Sequence, residues 1–473
     1  MEHIVYDPAL TKADRLVLQN LAADIKAASQ DSPSSNRPSP KAANGRAAVS
    51  ATHHLVPSPS PSPSPLSQRP AAVAVGFQSV RANLSPVEPS VDDETVIDAL
   101  NGFNNPKDAR FEPTVITSVD TDKISISPLF DTCIVPYYIR IARSLVRVET
   151  DVLVVSHLFL YFTTSIPSVL YLFHSFTWLH GVLHVVLQFS YVGTYTLMMH
   201  QHIHMRGVLA KHMAWLDHAF PYVLDPLMGH TWNSYFYHHV KHHHIEGNGP
   251  NDLSSTLRYE RDNIFHFLHY VGRFFFLIWF DLPTYFIRNG KFMLACKAAF
   301  WELSNYTAIY LLFRYNPRAT FFALLLPLLL LRIGLMVGNW GQHAFVDRDD
   351  PDSDYRSSIT LIDVPSNRHC FNDGYHTSHH LNPLRHWRQH PVAFVKGKQQ
   401  YASQHALVFH NIDYLMMTVR LMLRDYETLA KCMVPLGDHI SLTLEERAAL
   451  LKRNTRPFTE EEIRAKFPKL AKN

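Results

Sequence analysis

The sequence predicts an all-α integral membrane protein: four transmembrane helices in two hairpins plus an interfacial helix, with a cytosolic helical cap carrying clustered histidines. Three observations predict it. Apolar runs long enough to cross a bilayer come in two pairs, each joined by a very short link. Of the 30 histidines, 20 lie between His200 and His390, gathered where those runs end. Elsewhere the recurring local signals are helix caps.

Residues 1–27 read as a short N-terminal helix, with Thr11 and Asp14 at capping-box spacing and Leu18, Leu21 and Ile25 on one face. Asp7, Lys12, Asp14 and Arg15 break any apolar signal-peptide core there, so insertion is expected to fall to the internal spans. Residues 28–115 read as a disordered Ser/Pro-rich linker and lead-in, including the alternating run Pro57 to Pro65. Such composition buries too little apolar surface to offset its ordering entropy. Within it, a second capped helix is expected from Ser90 to about Leu100, closed by Asn101-Gly102.

Residues 116–400 form the expected membrane domain. The runs 152–174 and 176–199 are 23 and 24 residues long and hold no Asp, Glu, Lys or Arg. At about 1.5 Å per residue, each can cross a hydrocarbon core of roughly 30 Å. Residues 298–313 and 319–338 make the second expected hairpin, turned at Arg314-Tyr-Asn-Pro-Arg318. Glu302 and Arg332 should lie at similar depth there, and are expected to pair or to snorkel. A fifth apolar stretch, 264–287, contains His266, His269, Arg273, Asp281 and Pro283. Clusters on both sides of it can share a site only if an even number of crossings separates them. It is therefore expected to lie in the interface. Arg140, Arg143 and Arg147 before the first span put both termini and all three clusters in the cytosol. Arg314 and Arg318 run against that orientation.

Residues 401–473 form the expected cytosolic helical C-terminal region. A long amphipathic helix is expected over Asn411–Met433, followed by two Thr-x-x-Glu capping boxes at Thr443 and Thr459. The net charge of +3 gives no reason to expect a nucleic-acid partner. Cys133, Cys296, Cys370 and Cys432 are far apart and form no CxxC pair, which excludes a disulfide framework or a cysteine-based zinc site.

The histidines carry the chemistry. His239, His242 and His243 stand at i, i+3 and i+4, as do His376, His379 and His380. On a helix each triplet shares one face. His200 and His204 are one turn apart where the second run ends, and His343 lies in Asn339-Trp-Gly-Gln-His343. A zinc site needs three or four protein ligands; eight or nine imidazoles suit a pair of metal ions. His238 and His244 compete with His239 as ligands, since His238-x-x-x-His242-His243 is another workable pattern. His180 and His184 lie about 30 Å along the helix from His200, and are expected to hydrogen-bond between helices. His202 should face away. Asp252, Asp347 and Asp373 are candidate acceptors for the ligands' other ring N–H.

Over about residues 150–395 these motifs resemble the membrane fatty acid desaturase/hydroxylase superfamily, whose boxes run HxxxH, HxxHH and HxxHH. Asn339 and His343 fit the NxxxH arrangement of acyl-CoA desaturases, which places Asn339 at the cofactor. The resemblance implies two iron ions, O2 as co-substrate, an acyl lipid in a tunnel, and a membrane of the endoplasmic reticulum. It also implies an external electron donor such as cytochrome b5, since no His-Pro-Gly-Gly haem motif is fused here. Alkane monooxygenases are similar too: their boxes run HxxxH, HxxxHH, Asn-aromatic-x-x-His and HxxHHxNPxR. The segment from His376 to Arg385, with Asn382-Pro383, fits that version. The expected activity is therefore introduction of a double bond into an alkyl chain, with hydroxylation as the alternative. A zinc-dependent or non-catalytic membrane protein is a third reading.

Overall fold

A computed structural model of the chain describes residues 4, 6–7, 10–31, 92–111, 113–116, 127–362, 367 and 369–467. The Ser/Pro run read as a linker lies outside the described residues, which are mostly helical. Helix α1 (Lys12–Asp31) starts at Thr11, whose hydroxyl accepts from the Asp14 N–H at 3.0 Å. It passes the expected end at residue 27 because Ala27 and Ala28 favour helix, and Ser29 donates to the Ile25 carbonyl at 2.7 Å. Helix α2 (Asp93–Asn104) is capped by Asp92 rather than opening at Ser90, and continues through Gly102. The lead-in thus contains an ordered helix. Val17, Leu18 and Leu21 of α1 and Val96 and Leu100 of α2 pack against Tyr375, Val392 and Phe394. Burying each such side chain is worth about 1.5–3 kcal/mol.

Helix α3 (Val135–Leu145) leads into α4 (Val152–His174), and after a short link Thr177 caps α5 (Trp178–Met205). The middle turn of α4, Tyr161–Ser165, is wound as π-helix just before Pro167. Proline offers no N–H to the turn before it, and the wider turn accommodates that loss. At the far end of α5, Arg206 turns left-handed (φ 54°) and Arg147 donates to the Met205 carbonyl at 2.6 Å. Both stop the helix right after the first histidine pair. Residues 234–246 form α6. Helices α7 (Ile264–Arg288) and α8 (Phe292–Tyr315) pack as an antiparallel hairpin, and α9 (Pro317–Gln342) follows. Another π-turn, Phe321–Leu325, precedes Pro327.

Among the described residues, three helices are long and apolar enough to cross a membrane: α4, α5 and α9. Helix α8 has the length, 24 residues, but carries Lys297, Glu302 and Arg314 and is not among them. Glu302 and Arg332 form a buried ion pair, with Thr231 donating to the carboxylate at 2.6 Å.

The all-α expectation needs correcting by a small sheet. Strand β1 (Ile359–Ile362) runs parallel to β2 (Leu407–His410), which pairs antiparallel with β3 (Met433–Val434). Ile359-Thr-Leu-Ile is a fully buried, β-branched run with no alternation to mark it as a strand. Next to it lie α10 (His376–Leu381) and α11 (His390–Lys396). The expected long helix over 411–433 is two: α12 (Tyr414–Met422) and α13 (Tyr426–Cys432). Arg424 goes left-handed (φ 55°) and Asp425 caps the second helix by accepting from the Thr428 N–H at 3.1 Å. Helices α14 (Leu444–Arg453) and α15 (Glu460–Lys466) both open with the predicted capping boxes. Fully buried Arg261 donates to the carbonyls of Ala344, Thr256 and Asn454, tying α14 to the end of α9.

Candidate metal centre

Four elements deliver imidazoles to one place: the end of α5, the π-wound turn of α6, the end of α9, and α10. His200, His204, His239, His244 and His379 form one group in which one nitrogen from each ring lies within 4.8 Å of those of the others. His243, His343 and His380 form a second. His376 joins the second, with its Nε2 3.0 Å from that of His380 and 3.4 Å from that of His343. The two groups adjoin, for the His244 and His380 rings are 5.2 Å apart.

Helix geometry decides which histidines of the middle cluster take part. His239–His243 is one turn of π-helix, with i→i+5 hydrogen bonding. Adding a residue to the turn moves the shared face from i, i+3, i+4 to i, i+4, i+5. His239, His243 and His244 therefore point into the groups, and His242 does not. His242 Nε2 instead accepts from the Leu253 N–H at 2.9 Å. Of the nine histidines expected as ligands, eight come together and His242 is left out. His244, weighed as a rival to His239, takes the place of His242. The spacing that faces inward is thus His-x-x-x-His-His.

The nitrogens fit a shared cation better than each other. His239 Nε2 is 2.7 Å from His200 Nε2, which is 3.0 Å from His379 Nε2; His244 Nε2 is 3.0 Å from His239 and 2.9 Å from His379. A ring nitrogen serves as one donor or one acceptor, never both, and each of these four has two such contacts, so at most two of the four contacts can be hydrogen bonds. His204 Nε2 is buried with no hydrogen-bond partner among the described residues. Burial first, then the neighbouring imidazoles, holds His239, His244, His376 and His379 far below the ordinary histidine range. The rings are neutral, the form that binds metal.

Further groups orient the rings. His243 Nδ1 meets Asp252 at 2.7 Å, and Asp252 also accepts from Ser254 N and Oγ at 2.8 Å. Burial pushes that carboxyl up, but His243 and His242 outweigh it and hold it well below its usual range. His343 Nδ1 donates to the Ser357 carbonyl at 2.7 Å. Of the other expected acceptors, Asp347 binds the N–H groups of Asp349 and Asp350 instead. Asp373 faces Gln342 at 3.5 Å, and burial lifts its carboxyl to about 7. Asn339 donates to the Ser254 carbonyl (2.9 Å) and to Tyr270 Oη (2.7 Å). Tyr235, which no motif marked, stacks on His239 with ring centroids 4.9 Å apart. Ser168 bridges His180 (2.8 Å) and His184 (2.9 Å) across the α4–α5 hairpin, and His202 stacks on Phe220 away from the groups.

A cavity of about 340 Å³ opens between α5 and α9. His200, His239, His243 and His376 line one end, and the walls continue to Val185 and Pro327. Fifteen residues of helix on each side give it a reach of about 22 Å. Leu330, Gly334 and Gly338 line one wall, and a side chain added at either glycine would meet open space.

Helices long and apolar enough to cross a membrane, imidazoles gathered where two of them end and an apolar cavity between those two define a membrane protein able to hold metal. The fatty acid desaturase family model matches residues 176–411, and the chain belongs to the membrane fatty acid desaturase/hydroxylase superfamily. The matched stretch includes every histidine of both groups. No curated protein and no solved structure matches the chain.

Proposed function

We propose that the protein is a membrane-bound di-iron oxidoreductase that introduces a double bond into the alkyl chain of a lipid. One observation carries this: nine buried imidazoles in two adjoining groups close the end of a long apolar cavity. His200, His204, His239, His244 and His379 would hold one iron, and His243, His343, His376 and His380 the other. Bound there, the irons would supply oxidising power, drawn from O2 and electrons of a separate donor such as cytochrome b5, to remove hydrogen from unactivated carbon. The residues do the rest. Asp252 and the Ser357 carbonyl fix the rings of His243 and His343. Leu330, Leu331 and Phe189 exclude water and hold the chain extended, and the glycines of α9 leave room for it.

The two elements that bring the second and third clusters together also bear on topology. An even number of crossings must separate clusters that meet, so α9 needs a return span. Antiparallel α8, with Glu302 neutralised by Arg332, fits that role, which makes four spans with α7 along the interface. The arginines before α4 favour cytosolic termini, in the endoplasmic reticulum.

Hydroxylation is the second reading. The inward-facing His239-x-x-x-His243-His244 spacing is that of alkane monooxygenases, as is Asn382-Pro-Leu-Arg385. Mass spectrometry of lipids from a yeast host expressing the chain, with His376→Ala as control, tests both. A product lighter by two hydrogens and absent from the variant supports desaturation; one heavier by an oxygen supports hydroxylation. Zinc without iron in the purified protein would overturn both.

A further inference from the structure

A line of aromatic rings leaves the first imidazole group and runs back along α5. Tyr235 stacks on His239 with the ring planes 9° apart, and His230 stands edge-on to Tyr235 with centroids 5.4 Å apart. Tyr195 follows at 6.0 Å from His230, then Tyr161 at 5.6 Å and Tyr191 at 5.1 Å. Every step is a contact between π-systems, which pass single electrons far better than saturated side chains do. The line starts on a ring placed to hold metal.

Packing alone does not require tyrosine here. Tyr161 and Tyr195 are wholly buried in an apolar cluster with Leu153, Met198 and Phe220. Phenylalanine would fill nearly the same space with no hydroxyl to satisfy. Tyr195 Oη donates to the Asp225 carboxylate at 2.6 Å. Asp225 is also buried, and burial lifts its carboxyl to about 7, which makes it a stronger base than an ordinary carboxylate. The hydroxyls of Tyr161 and Tyr191 meet no acid; they stand 3.4 Å from His157 Nδ1 and 3.3 Å from Thr164 Oγ1. A phenol gives up an electron readily only when its proton can leave with it. Tyr195 alone in the line has a carboxylate in place to take that proton.

We propose that Tyr195, reached through Tyr235 and His230, is a reversible store for one oxidising equivalent, which keeps an oxidised metal centre from attacking its own imidazoles when no chain is bound. This rests on the reading that the centre activates O2. Tyr195 gives one electron, by way of His230 and Tyr235, to the oxidised centre. The proton of its Oη–H goes to Asp225, leaving a neutral tyrosyl radical beside a neutral acid. One electron from the external donor, a one-electron carrier such as a reduced haem protein, returns along the same line. With the proton handed back by Asp225, it restores the phenol.

The test is electron paramagnetic resonance of the full-length, iron-loaded protein in nanodiscs of ether-linked phytanyl lipid, which offers no straight acyl chain. The protein is reduced without oxygen, mixed with O2 and frozen. An organic radical should form whose hyperfine splitting collapses when the protein is made with ring-deuterated tyrosine. Tyr195→Phe and Asp225→Asn should each lose that signal at unchanged iron content. Tyr414→Phe should keep it: that ring nears His376 at 6.4 Å, but its hydroxyl donates to the backbone carbonyls of Asp373 and Gly374 rather than to an acid. After repeated cycles of reduction and O2, peptide mass spectrometry should find more oxidised His239 in Tyr195→Phe than in wild type. O2 uptake with no tyrosyl signal, or a signal that survives in Tyr195→Phe or Asp225→Asn, overturns the proposal and leaves the oxygen-activating reading standing. If the reduced protein takes up no O2, that reading falls and takes this one with it. Should one of the two variants fail to fold, the other and the isotope experiment still decide.

Discussion

A histidine that faces the groups lends them a ring nitrogen, while one that faces outward must find its partner in the backbone. His242 does the latter, bonding the Leu253 N–H, whereas His244 stands 2.9 Å from His379. His244→Ala should therefore lose most of its iron, and His242→Ala should keep it, as measured by metal analysis of the purified variants. Equal loss in both would refute the assignment. At this scale the sequence told which residue types gather but not which rings turn inward, because a single extra residue in one turn changes the answer. Asp373 offers a different measurement. Its folded carboxyl titrates near 7, above its ordinary 3.8, because burial penalises the charge. The stability it contributes is complete below pH about 4 and is lost as pH rises through about 7. Asp373→Asn cannot ionise, so its melting temperature should gain on wild type steadily between pH 4 and 8. A constant difference across that range would count against it.

The elements were legible where periodicity or caps are strong and hidden where neither is. The apolar runs of α4, α5 and α9 and the capping boxes of α14 and α15 follow directly from spacing. The π-turn of α6 does not, for its residues read as an ordinary helical triplet. Nor does β1, whose four buried residues lack the alternation that marks a half-exposed strand. Helix α9 shows how two glycines of one helix differ. A Cβ at Gly338 meets nothing within 4 Å, whereas one at Gly341 would sit 2.7 Å from the Tyr414 carbonyl. Gly338→Leu should leave the melting temperature near that of wild type and abolish turnover of long chains by filling the cavity. Gly341→Ala should cost about 1–3 kcal/mol in overpacking, read as a lower melting temperature. Were Gly338→Leu to process long chains normally, the cavity would not be their path.

For the molecule as a whole, the Glu302–Arg332 pair joins α8 to α9 with both side chains about nine-tenths buried. Arg332→Met strands the carboxylate and should destabilise by about 3–5 kcal/mol, while replacing both partners with apolar residues should cost far less. Thermal unfolding in detergent separates these outcomes, and equal losses would mean that the pair contributes no more than packing. Matched depth alone led to the expectation that the two would pair or snorkel, and they pair. The sequence could not foresee that α1 reaches the third cluster, because nothing local records a contact 361 residues long. Tyr375, the residue before His376, donates its hydroxyl to Asp14 of α1 at 2.7 Å. That contact makes the centre a late product of synthesis. Helix α1 is made before the turn holding His376, so the contact can form only once everything between them has been synthesised. A chain that stalls between His200 and His376 carries some of its imidazoles with no finished site, and a tag on α1 would report which compartment the finished one faces.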